Sequence, residues 1–284
     1  MQGKTVVVTG ANSGIGKAAA TELARRGAHV VMTARDRARG EAARDDVRRA
    51  SGNAQVDLLL GDFAVLDQVR ALAAELARLP GIDVLINNAG LMLSVRSETR
   101  DGFETTFQVN HLAPFLLTTL LLPKLTAKPG VRIVTVASDA HTRGGALDFD
   151  DLQSKRSYAP FAVYGRSKLA NILFTRELAR RLAGTGTTAN SLHPGVVATG
   201  FAGDGDASGL FAMLLKLARP FMLTPEKGAA TMVYLATAPE VATVSGRYFA
   251  RCREKTPARY AQDDATARRL WDESVRMTGA PQAA

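Results

Sequence analysis

The sequence is short of cysteine, of aromatic residues and of long uncharged runs. Cys252 is the single cysteine among 284 residues, so no internal disulfide can form and nothing calls for an oxidising compartment. With 25 glycines and 11 prolines, the chain lacks the excess that marks collagen-like or disordered polymers. No apolar stretch approaches the roughly 18 uncharged residues of a membrane span, and Val6-Val7-Val8-Thr9-Gly10 reads as a strand rather than a signal peptide. The expectation is a soluble, cytoplasmic protein with no integral membrane segment.

Acidic residues are also in deficit: 36 Lys and Arg against 27 Asp and Glu leave a net charge of +9. Such a balance invites a nucleic-acid reading. The basic residues, however, are mostly arginines interleaved with acids, as in the run from Ala34 to Ala50 (ARDRARGEAARDDVRRA). A dispersed, solvated surface explains them better, and no nucleic-acid partner is expected.

What is present is an alternation. Strand-like runs at Thr5–Thr9, His29–Ala34, Gln55–Leu60, Val84–Asn87, Val131–Ala137, Thr187–His193 and Gly246–Ala250 are separated by helical patterns. The helices are expected at Ile15–Arg26, Arg39–Ser51, Leu66–Ala77, Phe103–Leu125, Phe161–Ala183 and Pro225–Leu235. Strand and helix in turn predict one α/β domain over residues 1–284, a doubly wound parallel sheet of the Rossmann type with helices on both faces. Two stretches depart from the alternation: a polar loop over 141–160, and residues 201–223, glycine-rich and then amphipathic. Residues 251–284 form a C-terminal extension with a terminal helix near Ala265–Met277, anchored by Trp271.

The first strand runs into Gly10-Ala11-Asn12-Ser13-Gly14-Ile15-Gly16 and a helix opens at once. Glycines at 10, 14 and 16 allow a tight turn, close approach to a pyrophosphate and close helix packing, while the helix N-terminus offers free N–H groups. A tight turn alone would also use glycine, but the place after the first strand favours a dinucleotide. Where a carboxylate would bind the adenosine ribose of NAD, the chain has Ala34 and then Arg35. A guanidinium there suits a 2′-phosphate and favours NADP(H) over NAD(H). Asp36 could instead pair with Arg35 or accept a ribose hydroxyl, and Lys17 could add charge at the phosphate.

Tyr164 and Lys168 stand four apart, on one face of a helix. A nearby ammonium, helped by an oxidised nicotinamide, would draw the phenol down from its ordinary pKa near 10 toward a working acid–base range. Ser138 follows a strand at the carboxyl edge of the sheet, where ligands sit, and its hydroxyl could bind a substrate carbonyl oxygen.

Taken together, Thr9 to Gly16, Asn87-Asn88-Ala89-Gly90, Ser138, Tyr164 with Lys168, and Pro194-Gly195 resemble the short-chain dehydrogenase/reductase family from residue 4 to about 200. Ala34-Arg35-Asp36, Asp101-Gly102-Phe103-Glu104, Val109-Asn110-His111-Leu112, Ser138-Asp139-Ala140-His141, Phe149-Asp150-Asp151-Leu152 and Leu192-His193-Pro194-Gly195-Val196 resemble its retinol-dehydrogenase-like branch. The resemblance implies an oxidoreductase with Tyr164 as general acid or base. Lys168 would also hold the nicotinamide ribose, Ser138 would orient the substrate carbonyl, and Asn110 would position a water behind Lys168. For the cofactor it implies the loop residues Gly10, Asn12, Ser13, Gly14, Ile15 and Gly16, with Arg35 at the adenosine end. Asp62, followed by Phe63, would bind the adenine amino group, though Asp62 could simply cap a helix. Asn88, Ala89 and Gly90 would line the adenosine ribose, and Pro194, Gly195, Val197 and Thr199 the nicotinamide carboxamide.

His111, His141 and His193 lack metal-ligand spacing and read as structural, with His141 a candidate for the substrate side; no metal is expected. Cys252 reads as an ordinary thiol. Many eukaryotic relatives of this branch carry an N-terminal membrane anchor; with a strand read almost at the start of this sequence, a soluble enzyme without retinoid specificity is the expectation. The insertion Arg143–Pro160 is expected to roof the substrate site. Leu210–Leu223 reads as a substrate lid hinged at Gly203, Gly205 and Gly209, or as a helix lying on a membrane; both imply an apolar substrate. Apolar surplus on Phe103–Leu125 and Phe161–Ala183 suggests a homodimer. The expectation is an NADP(H)-dependent enzyme interconverting carbonyl and alcohol on an apolar small molecule; a non-catalytic NADP(H) sensor is the rival.

Overall fold

Valine and isoleucine crowd the short apolar runs, and their branched side chains favour the pleated, buried strand over the helix. The computed structural model describes residues 1–197 and 222–281. Within them β1 (Thr5–Val8), β2 (His29–Ala34), β3 (Val56–Leu60), β4 (Val84–Asn87), β5 (Arg132–Val136), β6 (Thr188–His193) and β7 (Tyr248–Ala250) form a parallel sheet. Its order is β3-β2-β1-β4-β5-β6-β7, and the two-residue β8 (Arg253–Glu254) adds an antiparallel edge that the sequence pattern did not predict. This is a Rossmann-type sheet.

Helices cover both faces: α1 (Gly14–Arg25), α2 (Arg37–Ser51) and α7 (Pro225–Thr237) on one, α3 (Leu66–Ala77), α5 (Ala113–Leu125), α6 (Pro160–Arg181) and α8 (Asp264–Thr278) on the other. The alternation of strand side chains divides the core accordingly: Val6 and Val8 pack with α1 and α7, while Val7 between them packs with α3 and α5. Strand order reverses at β1, which lies between β2 and β4. A crevice opens at the carboxyl ends of such a pair, and the site is built there.

The helix expected over Phe103–Leu125 is broken. Glu104 accepts from the N–H groups of Thr106 at 2.8 Å and Phe107 at 2.6 Å and so starts a short α4 (Thr105–Phe107). A π-helical turn follows over Gln108–Leu112 before α5 begins. Pro114 supplies the reason: it has no N–H to give to the Asn110 carbonyl, as a continuous α-helix would require.

Apolar surplus on α5 is used inside the chain. Phe115, Leu116, Leu117 and Leu121 are fully buried, and Trp271 of α8 sets its ring edge-on to Phe115 at 4.9 Å. The apolar surface that suggested a homodimer is thus taken up in part within the chain, by the core beneath α3 and the sheet and by the C-terminal helix. That helix begins at Asp264, one residue before its expected start, and is capped by Asp263, whose carboxylate accepts from Ala265 N and Thr266 N, each at 3.2 Å. Of the expected lid, only Met222 and Leu223 are among the described residues, and Leu223 N donates to the Val196 carbonyl at 2.8 Å. No helix among the described residues is long and apolar enough to cross a membrane.

Candidate active site

The loop after β1 requires its glycines. Gly10 and Gly14 hold φ of +62° and +54°, a region side chains rarely enter. A Cβ on Gly16 would fall 2.6 Å from the Gly10 carbonyl and into the Asn88 amide. At the start of α1, Ser13 makes no side-chain capping bond and the first turn carries no acid, so its N–H groups remain open to an anion. Asn88 braces this loop: its amide donates to the carbonyls of Thr9 at 2.8 Å and Gly10 at 3.1 Å, and its own Oδ1 is buried without a partner among the described residues. Open helix-end donors, glycines with no room for a Cβ and an orphaned acceptor all fit a pyridine dinucleotide.

Thr9 escaped the sequence reading. Its hydroxyl accepts from the backbone N–H of Asn88 at 2.9 Å and of Ala89 at 3.1 Å, locking the ends of β1 and β4 together. The only signal was its place at the head of the glycine motif. Gly228 on α7 was missed too: a Cβ there would strike Val197 at 2.6 Å and Ile15 at 2.8 Å, so this glycine lets the segment after β6 reach the phosphate loop. Asn12 lies in the same turn.

At the adenosine end Arg35 is exposed after β2, and its guanidinium makes no ion pair with any described residue. Asp36 neither pairs with it nor lies idle; it caps α2 by accepting from Arg39 N at 2.8 Å. Lys17 bonds Asp46 of α2 at 2.6 Å, which turns it away from the phosphate role considered for it. Asp62 accepts from Ala64 N at 2.9 Å in a local turn, while the N-terminus of α3 is capped from 35 residues away, by Asp101 on Leu66 N at 2.9 Å. Asp62 therefore does not cap α3. Phe63 beside it is buried.

The catalytic candidates converge on the ends of β4, β5 and α6. Ser138 follows β5; its Oγ accepts from Ala140 N at 3.2 Å and bonds the Tyr164 phenol. One turn on along α6, the Lys168 ammonium sits 5.6 Å from the centre of the Tyr164 ring and donates to the Val136 carbonyl at 3.2 Å. Asn171 Nδ2 shares that carbonyl at 3.2 Å. Asn110, in the π-turn, holds the Leu91 backbone from both sides, accepting from its N–H at 2.7 Å and donating to its carbonyl at 2.8 Å. Gly90 closes the group, since a Cβ there would stand 3.0 Å from both Asn110 Oδ1 and Lys168 Nζ.

Burial sets the electrostatics. It pushes the Tyr164 phenol up to about 12, opposed by the Ser138 hydroxyl, and pushes Lys168 down to about 8. In the protein by itself burial thus moves the phenol above its ordinary value, whereas the downward draw expected from the ammonium involves an oxidised nicotinamide as well. At neutral pH the site holds a protonated phenol beside an ammonium, an arrangement that has a proton to give.

His111 is fully buried, held down to about 3 by desolvation, with Nε2 on Ser274 Oγ at 2.8 Å; it is structural, as its spacing suggested. His193 accepts from Gly195 N at 3.1 Å and fixes the turn in which Gly195 takes φ +87°, next to Pro194. Thr199 lies outside the described residues. The insertion after Ser138 packs on α6, where a Cβ on Gly144 would meet Arg166 N at 2.6 Å, and reaches back through Tyr158 to the Leu93 carbonyl at 3.0 Å. Among the described residues no cluster could hold a metal ion.

With that geometry in place, comparison with known proteins is decisive. Residues 4–207 match the short chain dehydrogenase family profile. The chain is a short-chain dehydrogenase. It is 48% identical to human retinol dehydrogenase 14 over 98% of this chain and 87% of that one. Among solved structures, an uncharacterized protein from Mycobacterium Paratuberculosis superposes with a TM-score of 0.79 at 36% identity, covering 98% of this chain and 94% of that one. The Pseudomonas aeruginosa RhlG/NADP active-site complex does so with a TM-score of 0.68 at 28% identity, over 88% and 94%. This short-chain dehydrogenase is therefore an oxidoreductase of the retinol-dehydrogenase-like branch, acting on CH–OH and C=O groups.

Proposed function

We propose that the enzyme uses NADP(H) to interconvert an apolar carbonyl compound and its alcohol, running as a reductase at neutral pH. One observation carries this reading: a protonated phenol, bonded to the Ser138 hydroxyl and backed by the Lys168 ammonium, lies at the carboxyl edge of the sheet beside a glycine cradle. Gly10 to Gly16 and the open end of α1 would hold the pyrophosphate, Arg35 the 2′-phosphate, Asp62 the adenine, and Asn88 to Gly90 the adjoining ribose. When bound, the coenzyme supplies hydride from the nicotinamide ring.

The residues of this chain do the rest. Ser138 donates a hydrogen bond to the substrate carbonyl oxygen, polarising it and fixing its distance from Tyr164. As hydride arrives at carbon, the Tyr164 hydroxyl gives its proton to that oxygen, so that an alcohol and a phenolate result. Lys168 stabilises the phenolate by its charge, and Asn110 holds the segment at Leu91 against which Lys168 is set. Oxidation runs the same steps backwards from the phenolate.

Preference for NADP(H) is supported by the Arg35 guanidinium, which makes no ion pair with any described residue, and by the likeness to a protein solved with NADP. An apolar substrate is supported by the relative's name, retinol dehydrogenase. The test is NADPH consumption against a panel of aliphatic, isoprenoid, aromatic and steroid carbonyls. Turnover of apolar members is expected; tight NADPH binding with no turnover of any of them would make the protein a sensor instead.

A further inference from the structure

The two ring nitrogens of His141, the residue whose sequence made it a candidate for the substrate side, join parts of the chain 120 residues apart. Nδ1 lies 2.7 Å from the Ser138 carbonyl, and Nε2 lies 3.1 Å from the backbone nitrogen of Ala258 in the C-terminal extension. A backbone N–H can only donate, so Nε2 must be the bare nitrogen. The ring proton then sits on Nδ1 and is given to Ser138. Geometry alone thus selects one tautomer of a neutral imidazole.

The ring is fixed in every other direction. It is 1% exposed and stands edge-on to Tyr248 of β7, 5.1 Å between centres. Two residues before it in the same turn, Asp139 binds Lys255 at 2.9 Å, a second tie between the Ser138 turn and the same extension. The Ser138 hydroxyl meanwhile accepts from Ala140 N, so its direction depends on the turn that His141 holds.

We propose that His141 is a positioning residue: as a neutral ring it clasps the C-terminal extension at Ala258 to the catalytic turn, and Ser138 is correctly aimed only while that clasp is closed. The inference rests on the reading of Ser138 as the group that orients the substrate oxygen. Protonation of Nε2 would set one N–H against another and open the clasp. The charged and titratable groups around the ring are Asp139 on its own turn, Lys255 on the C-terminal extension, His193 on β6 and Tyr248 on β7, with Tyr164 and Lys168 on α6, which packs against the turn. Burial holds His141 below its ordinary value, with the Ser138 carbonyl and Asp139 acting against it, so the neutral form persists through neutral pH.

Ala258 offers an unusually clean test, because its φ of −53° and ψ of 152° already suit proline. Ala258→Pro removes only the N–H that the ring accepts, and His141→Gln removes the titrating ring. In the full chain, with NADPH affinity measured by fluorescence and folding by thermal melting, both variants should bind coenzyme as the wild type does. Their kcat should fall about tenfold or more, the scale of a loosened supporting contact. The acid limb of the wild-type kcat profile should move to higher pH in Ala258→Pro, where the neutral ring has lost its donor, and vanish in His141→Gln.

Folded variants with wild-type kcat and an unchanged acid limb would overturn the proposal. Imidazole 15N NMR of the wild type reads the clasp without turnover. A bare Nε2 whose titration rises in Ala258→Pro supports it, and a proton on Nε2 refutes it. An inactive wild type would sink the oxidoreductase reading alone.

Discussion

Lys168 holds its ammonium 5.6 Å from the centre of the Tyr164 ring while donating to the Val136 carbonyl at 3.2 Å. The lysine is thereby tethered to the end of β5, two residues before Ser138, so acid, cation and carbonyl-binding hydroxyl share one frame. Its titration should be visible in catalysis. Burial brings Lys168 down to about 8, so the ammonium is present below that pH and lost above it. The reductive kcat should therefore hold through neutral pH and decline through about pH 8; Lys168→Arg, which cannot deprotonate in this range, should remove the decline from whatever activity it keeps. A kcat profile in the NADPH-oxidising direction decides it.

Tyr164→Phe deletes the proton donor but leaves the ring and its packing. Turnover should drop by about 10²- to 10⁴-fold, the usual share of a positioned general acid. NADPH binding, followed by fluorescence, should be nearly unchanged, because the glycine cradle is untouched.

Arg35→Ala separates the coenzymes. The guanidinium makes no ion pair with a described residue, so its removal should leave the melting temperature in place. NADPH affinity should weaken by roughly ten- to a hundredfold, the loss of one or two charge-assisted hydrogen bonds. NADH affinity should stay put. Equal losses for both coenzymes in paired titrations would refute a 2′-phosphate contact.

Trp271→Ala should cost about 3–5 kcal/mol of stability, as large-to-small changes at buried aromatic positions do. The indole is 2% exposed and packs against Phe115 at 4.9 Å and Phe174 at 6.0 Å. Denaturant unfolding measures the loss; a change under 1 kcal/mol would mean that α8 contributes little to the core.

The sheet was legible because parallel strands covered on both faces announce themselves as short Val- and Ile-rich runs, and five of the helices lie between them nearly as expected. Local chemistry was legible for the same kind of reason: a glycine loop opening α1, and Tyr164 four residues before Lys168. What the sequence hid was non-local. Nothing near Leu66 hints that Asp101 caps α3, and nothing near Asn88 hints that Thr9 receives its N–H. The break in the helix from Phe103 needed Pro114 to be weighed against the carbonyl four residues earlier. Apolar surplus on α5 was visible as composition, but only the fold reveals Trp271 as its partner. The sign of the Tyr164 shift depended on how dry its surroundings are, a property of packing and not of spacing.

One consequence of α8 reaches beyond stability. Since Trp271 lies against Phe115 and Phe174, a chain ended before Asp264 would leave a greasy wall facing water on a molecule otherwise rich in arginine. During synthesis that wall stands bare until the last residues emerge, so the nascent chain depends on its own tail arriving before a neighbouring molecule finds the gap.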